Sequence, residues 1–337
     1  MKAHQRSFFR SSMAVLLAAR NVIWPKRRLP ITKLSKLFAT FPADFNLTIV
    51  DVGSIGGLHR RWKPLRAHLT TLNFDPLDSD RGSERERFFP LLLGAADGQA
   101  SLLVTRRGSM SSTLPPNRDF YSPFWSKPDD IEVVKTISAR STTLDALAEA
   151  EGLWPDALKI DVQGGEGAVL QGSAQALDRS VLLAEVECSF AERYEGQKTI
   201  DQVMQFMRER GFALLDLRRL KRYRYRNAHQ VADASLGRGM RAGRLAFCDA
   251  IFVLEPDRLW NRMSAAGDKS GEIGLRMIAL TLAYGKPDLA AAVFDRLADA
   301  LPQNTRDALD DFFSSLAGDG GWVQQLHYDF DAWAQRV

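Results

Sequence analysis

The sequence is short of cysteine and of long apolar runs, and both shortages argue against whole classes of protein. Only Cys188 and Cys248 occur among the 337 residues, each in an apolar segment typical of a strand. We therefore expect no disulfide framework and two reduced thiols in a reducing compartment. The apolar run at 13–19 is too short to cross a bilayer, and Arg20 closes it.

Acidic residues are absent from the start of the chain, where nine lysines and arginines precede Asp44. Residues 1–43 are therefore predicted to be a basic arm that contains a helix. The helix is suited to an anionic membrane surface or a partner protein. A frayed arm that caps its own domain fits the pattern equally well. The expected location is the cytoplasm, with peripheral contact at the inner face of the membrane as an alternative.

Between 44 and 256, short apolar runs alternate with helix-period segments, which is typical of βαβ units. The predicted fold is α/β, with a doubly wound, mostly parallel, seven-stranded sheet. The predicted strands are 47–52, 70–74, 88–93, 158–162, 181–186, 213–217 and 245–254. The predicted helices are 142–150, 166–176 and 200–210. Two β-rich pieces and a Ser/Pro-rich loop between 99 and 138 indicate an insertion near the cleft.

After Pro256 the composition changes to Ala, Leu and Asp with a period of 3.6 residues. Residues 257–337 are therefore predicted to be a helical C-terminal extension. Packing, dimerisation and a lid over the cleft are three roles that the pattern leaves open. The oligomeric state stays open with them, and a homo-oligomer is one alternative.

A glycine-containing turn follows the first predicted strand, in a segment that reads Asp51-Val52-Gly53-Ser54-Ile55-Gly56-Gly57. Glycines let the backbone turn tightly and approach a ligand, so the turn suits a nucleotide-like cofactor. A dinucleotide fingerprint would have glycine at position 51, because a carboxylate there repels pyrophosphate. S-adenosylmethionine has no phosphate and carries an ammonium and a sulfonium, which an acid favours. The candidate cofactor contacts of this turn are Asp51, Gly53, Ser54 and Gly56.

The second predicted strand ends in Asn73-Phe74-Asp75-Pro76, about twenty residues later. At this spacing an acidic residue reaches a ribose diol in doubly wound folds, so Asp75 is the candidate ribose ligand. Ala95, just after the third predicted strand, is a further candidate cofactor contact.

The middle of the chain carries a longer motif. It runs Leu158-Lys159-Ile160-Asp161-Val162-Gln163-Gly164-Gly165-Glu166 and continues in Val169-Leu170-Gln171-Gly172-Ser173. This motif closely resembles the signature of FkbM-type methyltransferases, although many relatives have Glu where Gln163 stands. The resemblance covers roughly 47–256. It implies a class I, Rossmann-like methyltransferase fold, S-adenosylmethionine as donor, and O-methylation of sugars, glycolipids or polyketide-like natural products.

The predicted topology brings Asp51, Asp75, Asp161 and Glu187 to one rim, beyond the carboxyl ends of the strands. An alcohol needs a base to remove its proton during methyl transfer. Asp161 is the first candidate for that base or for a ligand of the acceptor hydroxyl, and Glu187 is the second. His59 is a third candidate, although it also reads as a surface histidine on the first turn of a helix. No metal is expected, because no ligand cluster has a metal-specific spacing.

Three features keep other interpretations open. Glu166 suits a helix N-terminus as well as a functional role, and Ser109, Ser111 and Ser112 suit either a turn or a ligand contact. A basic stretch at 218–226 is compatible with a solvated strand end, an anionic glycolipid or phosphorylated sugar acceptor, or, least of all, nucleic acid. The leading hypothesis is an enzyme that methylates a small-molecule or glycan acceptor. The alternative is a non-catalytic, methyltransferase-like binding or scaffold module in surface-polysaccharide assembly.

Asp75→Ala tests the ribose assignment. A carboxylate that accepts two hydroxyl hydrogens contributes about 1.5–3 kcal/mol, so its loss should weaken S-adenosylmethionine binding at least tenfold. Isothermal titration calorimetry on folded protein measures this affinity. An unchanged dissociation constant would contradict the assignment.

Overall fold

The computed structural model describes residues 31–53, 59–77, 81–231 and 241–317. The strands are β1 Leu47–Val52, β2 Leu69–Phe74, β3 Arg81–Gly82, β4 Glu86–Phe89, β5 Leu92–Leu93, β6 Gly98–Thr105, β7 Val133–Thr142, β8 Ala157–Ile160, β9 Leu183–Ser189, β10 Phe212–Tyr223 and β11 Arg244–Leu254. The α-helices are α1 Ile31–Phe38, α2 Arg118–Tyr121, α3 Lys127–Asp130, α4 Leu144–Glu151, α5 Glu166–Gln171, α6 Ala174–Arg179, α7 Ile200–Glu209, α8 Pro256–Ala266, α9 Ser270–Ala283, α10 Pro287–Leu297 and α11 Gln303–Ala317.

The main sheet has the strand order β10-β11-β9-β8-β1-β2-β4-β3. The pairings from β9 across to β4 are all parallel, whereas β11 is antiparallel to both of its neighbours. Every residue of β1 and β9 is buried, as expected for strands covered on both faces. The predicted mostly parallel α/β fold is confirmed. The carboxyl ends of β1, β2, β8 and β9 consequently share one edge.

One predicted strand, 88–93, is divided between two sheets. Its first part lies in β4, and its second part is β5, which pairs with β7 in a separate three-stranded sheet of order β5-β7-β6. Pro90 lies at the division and has no N–H to donate to a ladder. The two-residue strand β3 adds an antiparallel edge to β4, so the main sheet has eight strands rather than seven.

The predicted insertion forms the antiparallel pair β6 and β7 and the loop between them. This loop packs in a second hydrophobic cluster, which consists of Met110, Tyr121, Phe124, Ile131, Tyr223 and Ala246. Since Tyr223 ends β10 and Ala246 lies in β11, the cluster ties the insertion to the β10 end of the main sheet.

The predicted helix 166–176 is broken into α5 and α6 at Gly172. A Cβ on Gly172 would lie 2.0 Å from the Gly94 backbone oxygen and 3.1 Å from Cβ of Thr143. Gly94 directly follows β5, so the glycine allows the helix end to touch the three-stranded sheet.

The C-terminal helices share the core of the sheet. Leu275, Ile278 and Leu280 of α9 belong to the same buried cluster as β1 and β9. Asp156 connects the two parts, since it accepts the backbone N–H of Thr48 and pairs with Arg276 of α9 at 3.3 Å.

Cys188 and Cys248 are free and buried, facing each other between β9 and β11. In the ranges that the structure describes, each helix lacks the length and apolar character needed to cross a membrane. Most of the predicted basic arm, residues 1–30, lies outside these ranges.

Gly172→Ala is expected to lower the free energy of unfolding by about 1–3 kcal/mol, because the new methyl group overlaps a backbone oxygen that cannot rotate away. Urea denaturation measures the change. Gly108→Ala is the matched control, since no atom lies within 4 Å of a Cβ at that position. Equal stability of the two variants would show that the Gly172–Gly94 approach is not constrained.

Candidate active site

A cavity of about 830 Å³ opens at the carboxyl edge of the main sheet. It brings together the candidate residues that the structure describes. These are Asp51, Gly53, His59, Asp75, Ala95, Asp161 and Glu187. Ser54 and Gly56, the remaining cofactor candidates, lie outside the described residues.

Asp51 lies at the end of β1, beside Lys159 of β8 in the parallel register. Its Oδ1 is 2.9 Å from Nζ of Lys159. Burial raises the pKa of Asp51, and the lysine opposes that rise. Burial alone would lower the pKa of Lys159, but Asp51 and Asp161 raise it overall. Asp51 and Lys159 therefore stabilise each other's charged form at the base of the cavity.

Gly53 lets the ends of β1 and β8 approach each other. Its φ is +81°, and a Cβ there would lie 2.0 Å from the backbone oxygen of Asp161. Its N–H donates to Phe74 of β2 at 2.8 Å, while the N–H of Asp161 donates to Val52 at 3.0 Å. The predicted cofactor turn thus begins where three strand ends meet.

Asp75 directly follows β2 and is buried. Its Oδ1 accepts the backbone N–H of Leu77 at 2.8 Å, which closes a local turn beside the cavity. Asp51 and Asp75 therefore approach the cavity from adjacent strands.

Asp161 and Glu187 are joined by an amide. Nε2 of Gln163 donates to Oδ1 of Asp161 at 2.7 Å and to Oε1 of Glu187 at 3.1 Å. Gln163 has a φ of +55°. This lies in the left-handed region, which residues other than glycine rarely adopt. The strained turn after β8 therefore holds one donor between two candidate bases.

Glu187 also contacts Arg193, whose guanidinium is fully buried. Nε of Arg193 donates to Ser189 at 2.7 Å, and its guanidinium lies 4.3 Å from the centre of the Phe247 ring. Burial raises the pKa of Glu187 to about 8, even though Arg193 opposes the rise. Glu187 is thus a carboxyl group that can exchange a proton near neutral pH.

Glu185 shares its face of β9 with Glu187 and is held from two sides. Arg61 binds both of its oxygens, at 2.5 and 3.3 Å, and the Tyr284 hydroxyl donates to Oε2 at 2.8 Å. The Arg61 guanidinium also lies 4.6 Å from the centre of the Tyr284 ring. Because Tyr284 follows α9, the C-terminal helices supply part of the cavity wall.

The comparison with protein families identifies this region. Residues 59–214 match the family model described as "Methyltransferase FkbM domain". This part of the chain is an FkbM methyltransferase domain. Most strands of this domain belong to the mostly parallel main sheet, which β1 and β11 complete from outside the matched range.

None of the curated proteins compared with the chain matches it. A solved structure that does match is the crystal structure of Burkholderia thailandensis 1,6-didemethyltoxoflavin-N1-methyltransferase with bound 1,6-didemethyltoxoflavin and S-adenosylhomocysteine. The sequences are 11% identical, the match covers 76% of this chain and 91% of that chain, and the TM-score is 0.26.

Four candidate residues of the FkbM domain line the cavity or stabilise a turn beside it. His59 lines the cavity and caps the 3-10 helix Arg60–His68, because its Nδ1 accepts the backbone N–H of Arg61 at 3.2 Å. Glu166 is buried and accepts the backbone N–H groups of Val162 and Gly164, so it stabilises the turn after β8. Ser109 and Ser111 line the cavity.

The partners of the acids are the residues that sequence reasoning missed. Lys159 could have been found, because a lysine in a buried parallel strand needs an acidic neighbour. Arg193 lies only six residues after Glu187, but it follows the end of β9, where strand alternation no longer predicts which way a side chain points. Tyr284 gave no local signal, since it reaches Glu185 from a distant part of the chain.

Tyr284→Phe should lower the free energy of unfolding by about 1–3 kcal/mol, because buried Glu185 loses one donor while the aromatic ring stays in place. Thermal or urea unfolding measures the loss. Tyr225→Phe is the control, since this tyrosine is 50% exposed and its loss should change stability by less than about 0.5 kcal/mol. Indistinguishable variants would contradict a stabilising bond between Tyr284 and Glu185.

Proposed function

We propose that the protein is an S-adenosylmethionine-dependent O-methyltransferase that acts on a hydroxyl of a sugar, glycolipid or related small molecule. The observation that carries the proposal is the single cavity that receives Asp51, Asp75, Asp161 and Glu187 from four strand ends. Its volume of about 830 Å³ lies within the range of ligand pockets. The FkbM domain supports the same reaction class.

The residues at the ends of β1 and β2 fit S-adenosylmethionine. Asp51 suits the ammonium group of the methionine part, Asp75 suits the ribose hydroxyls, and Gly53 lines the cavity beside them. Ala95 lines the same cavity, and Ser54 and Gly56 complete the candidate set. The bound cofactor would supply an electrophilic methyl group on sulfur. Asp51 argues against a pyrophosphate-containing cofactor at this turn.

The protein's own contribution is to align the acceptor, exclude water and remove the proton of the hydroxyl. Asp161 is half-buried and lines the cavity, so it is the first candidate for the base. Glu187 is the second, and its pKa of about 8 suits a group that takes up a proton near neutral pH. Gln163 keeps both carboxylates at fixed positions.

Purified protein incubated with labelled S-adenosylmethionine and glycan extracts should transfer the label. Failure of well-folded protein to bind the cofactor would contradict the proposal. Binding without turnover across broad acceptor panels, with no effect of Asp161→Ala, would favour the scaffold module instead.

Asp161→Asn and Glu187→Gln are expected to identify the base, since loss of a general base lowers the rate about 10²–10⁴-fold. A carboxyl with a raised pKa is protonated at low pH. If Glu187 is the base, the rate therefore rises with pH and levels off above about 8. The rise should vanish in Glu187→Gln and persist in Asp161→Asn.

If Asp161 is the base, only Asp161→Asn should cause the large loss of rate. Glu195→Gln is the control for both variants, because Glu195 is exposed and does not line the cavity. Full activity of both test variants at every pH would contradict base catalysis by this pair.

A further inference from the structure

The cavity extends from the cofactor candidates to a basic wall. Five cations form this wall: Arg107, Lys127, Arg219, Lys221 and Arg222. They come from the insertion and from the carboxyl half of β10. In the sheet, β10 is separated from β1 by β11, β9 and β8, a distance of about 19 Å at the usual strand spacing. The basic wall therefore lies on the far side of Asp161 and Glu187 from the cofactor candidates.

Irregularities in β10 determine which way Arg219, Lys221 and Arg222 point. Successive side chains of a regular strand point to opposite faces, so Lys221 and Arg222 would not share a cavity. The pairing of β10 with β11 is shifted between Arg218 and Lys221, and again between Lys221 and Arg222. Arg219 has a φ of +50° at the first shift. Because β-bulges re-aim side chains, this strand brings to one cavity cations that regular alternation would separate.

The acids near this wall do not balance its charge. Arg107 and Lys127 share Asp130, and Arg219 pairs with Asp249 at 3.2 Å. Lys221 and Arg222 are exposed, and neither has an acidic partner in the part of the chain that the structure describes. Cations gathered in one cleft attract an anion.

We propose that the methyl acceptor is a phosphate-bearing sugar whose phosphate binds Lys221 and Arg222, with Arg219 beside them. This inference rests on the proposed function, because it assigns the acceptor of the same cavity. A guanidinium and an ammonium together suit a phosphate group through charge-assisted hydrogen bonds. The bound phosphate fixes one end of the acceptor at the β10 wall, and a sugar hydroxyl extends toward Asp161 and Glu187.

The test is calorimetry on the full chain saturated with S-adenosylhomocysteine, whose own binding is measured first. The soluble probes are glucose 1-phosphate, glucose and inorganic pyrophosphate. Phosphatidylcholine vesicles with and without phosphatidylinositol test a lipid-linked source of the same phosphate chemistry. The variant is Lys221→Gln/Arg222→Gln. The control is Arg224→Gln, which removes an exposed cation two residues away that does not line the cavity.

The expected result is that glucose 1-phosphate binds at least tenfold more tightly than glucose, or that vesicles with net anionic phosphatidylinositol bind at least tenfold more tightly than vesicles of zwitterionic phosphatidylcholine alone. The double variant should lose this preference, and Arg224→Gln should keep it. A preference for glucose 1-phosphate supports a soluble sugar phosphate, whereas a preference for phosphatidylinositol vesicles alone supports a lipid-linked sugar.

Binding of no phosphate-bearing probe would overturn the inference, as would equal binding by the double variant and the unchanged chain. Tighter binding to a single-stranded RNA than to any sugar phosphate would also overturn it and point to nucleic acid. The cofactor titration separates the two proposals. Absence of S-adenosylhomocysteine binding contradicts the methyltransferase reaction, whereas its presence without phosphate binding contradicts only the acceptor class.

Discussion

The site depends on how closely the ends of β1 and β8 meet. Gly53 has room only for a hydrogen where the Asp161 carbonyl approaches, and Lys159 neutralises Asp51 across the same two strands. A carboxylate cannot be buried cheaply without such a partner. If the strands separated, Asp51 would lose its cation and Asp161 its position at the same time. Backbone packing and electrostatics therefore stabilise one geometry.

The carboxylates of β9 also need partners, but their cations and hydrogen-bond donor come from outside the sheet. Glu187 depends on Arg193, and Glu185 depends on Arg61 and Tyr284. Tyr284 lies beyond the part of the chain that matches the FkbM family model. The C-terminal helices thus do more than pack against the core, because they supply a hydrogen bond to a carboxylate that lines the cavity.

Features that are encoded locally were predictable from the sequence. Alternating apolar runs predicted the strands, and topology alone placed Asp51, Asp75, Asp161 and Glu187 at one rim. The division of strand 88–93 could have been anticipated from Pro90. The contact of Tyr284 with Glu185 could not, because it depends on how distant segments pack. The contact of Arg193 with Glu187 is close in sequence, but it depends on how the chain turns after β9. The bulges of β10 were not predictable from the sequence either, since the basic residues at 218–226 show no break in pattern where the register shifts.

The pairing of these acids also suits the proposed chemistry. Methyl transfer from a sulfonium removes positive charge from the donor as the new bond forms. Unpaired carboxylates around the donor would stabilise its charged ground state more than the transition state, and such binding slows the chemical step. Lys159 moderates the field of Asp51, and Arg61 does the same for Glu185. Gln163 adds a donor without adding charge, whereas a glutamate at 163 would place a third carboxylate beside Asp161 and Glu187. The carboxylates of the cavity can therefore bind a cationic donor without strongly stabilising the positive charge that the donor loses in the reaction.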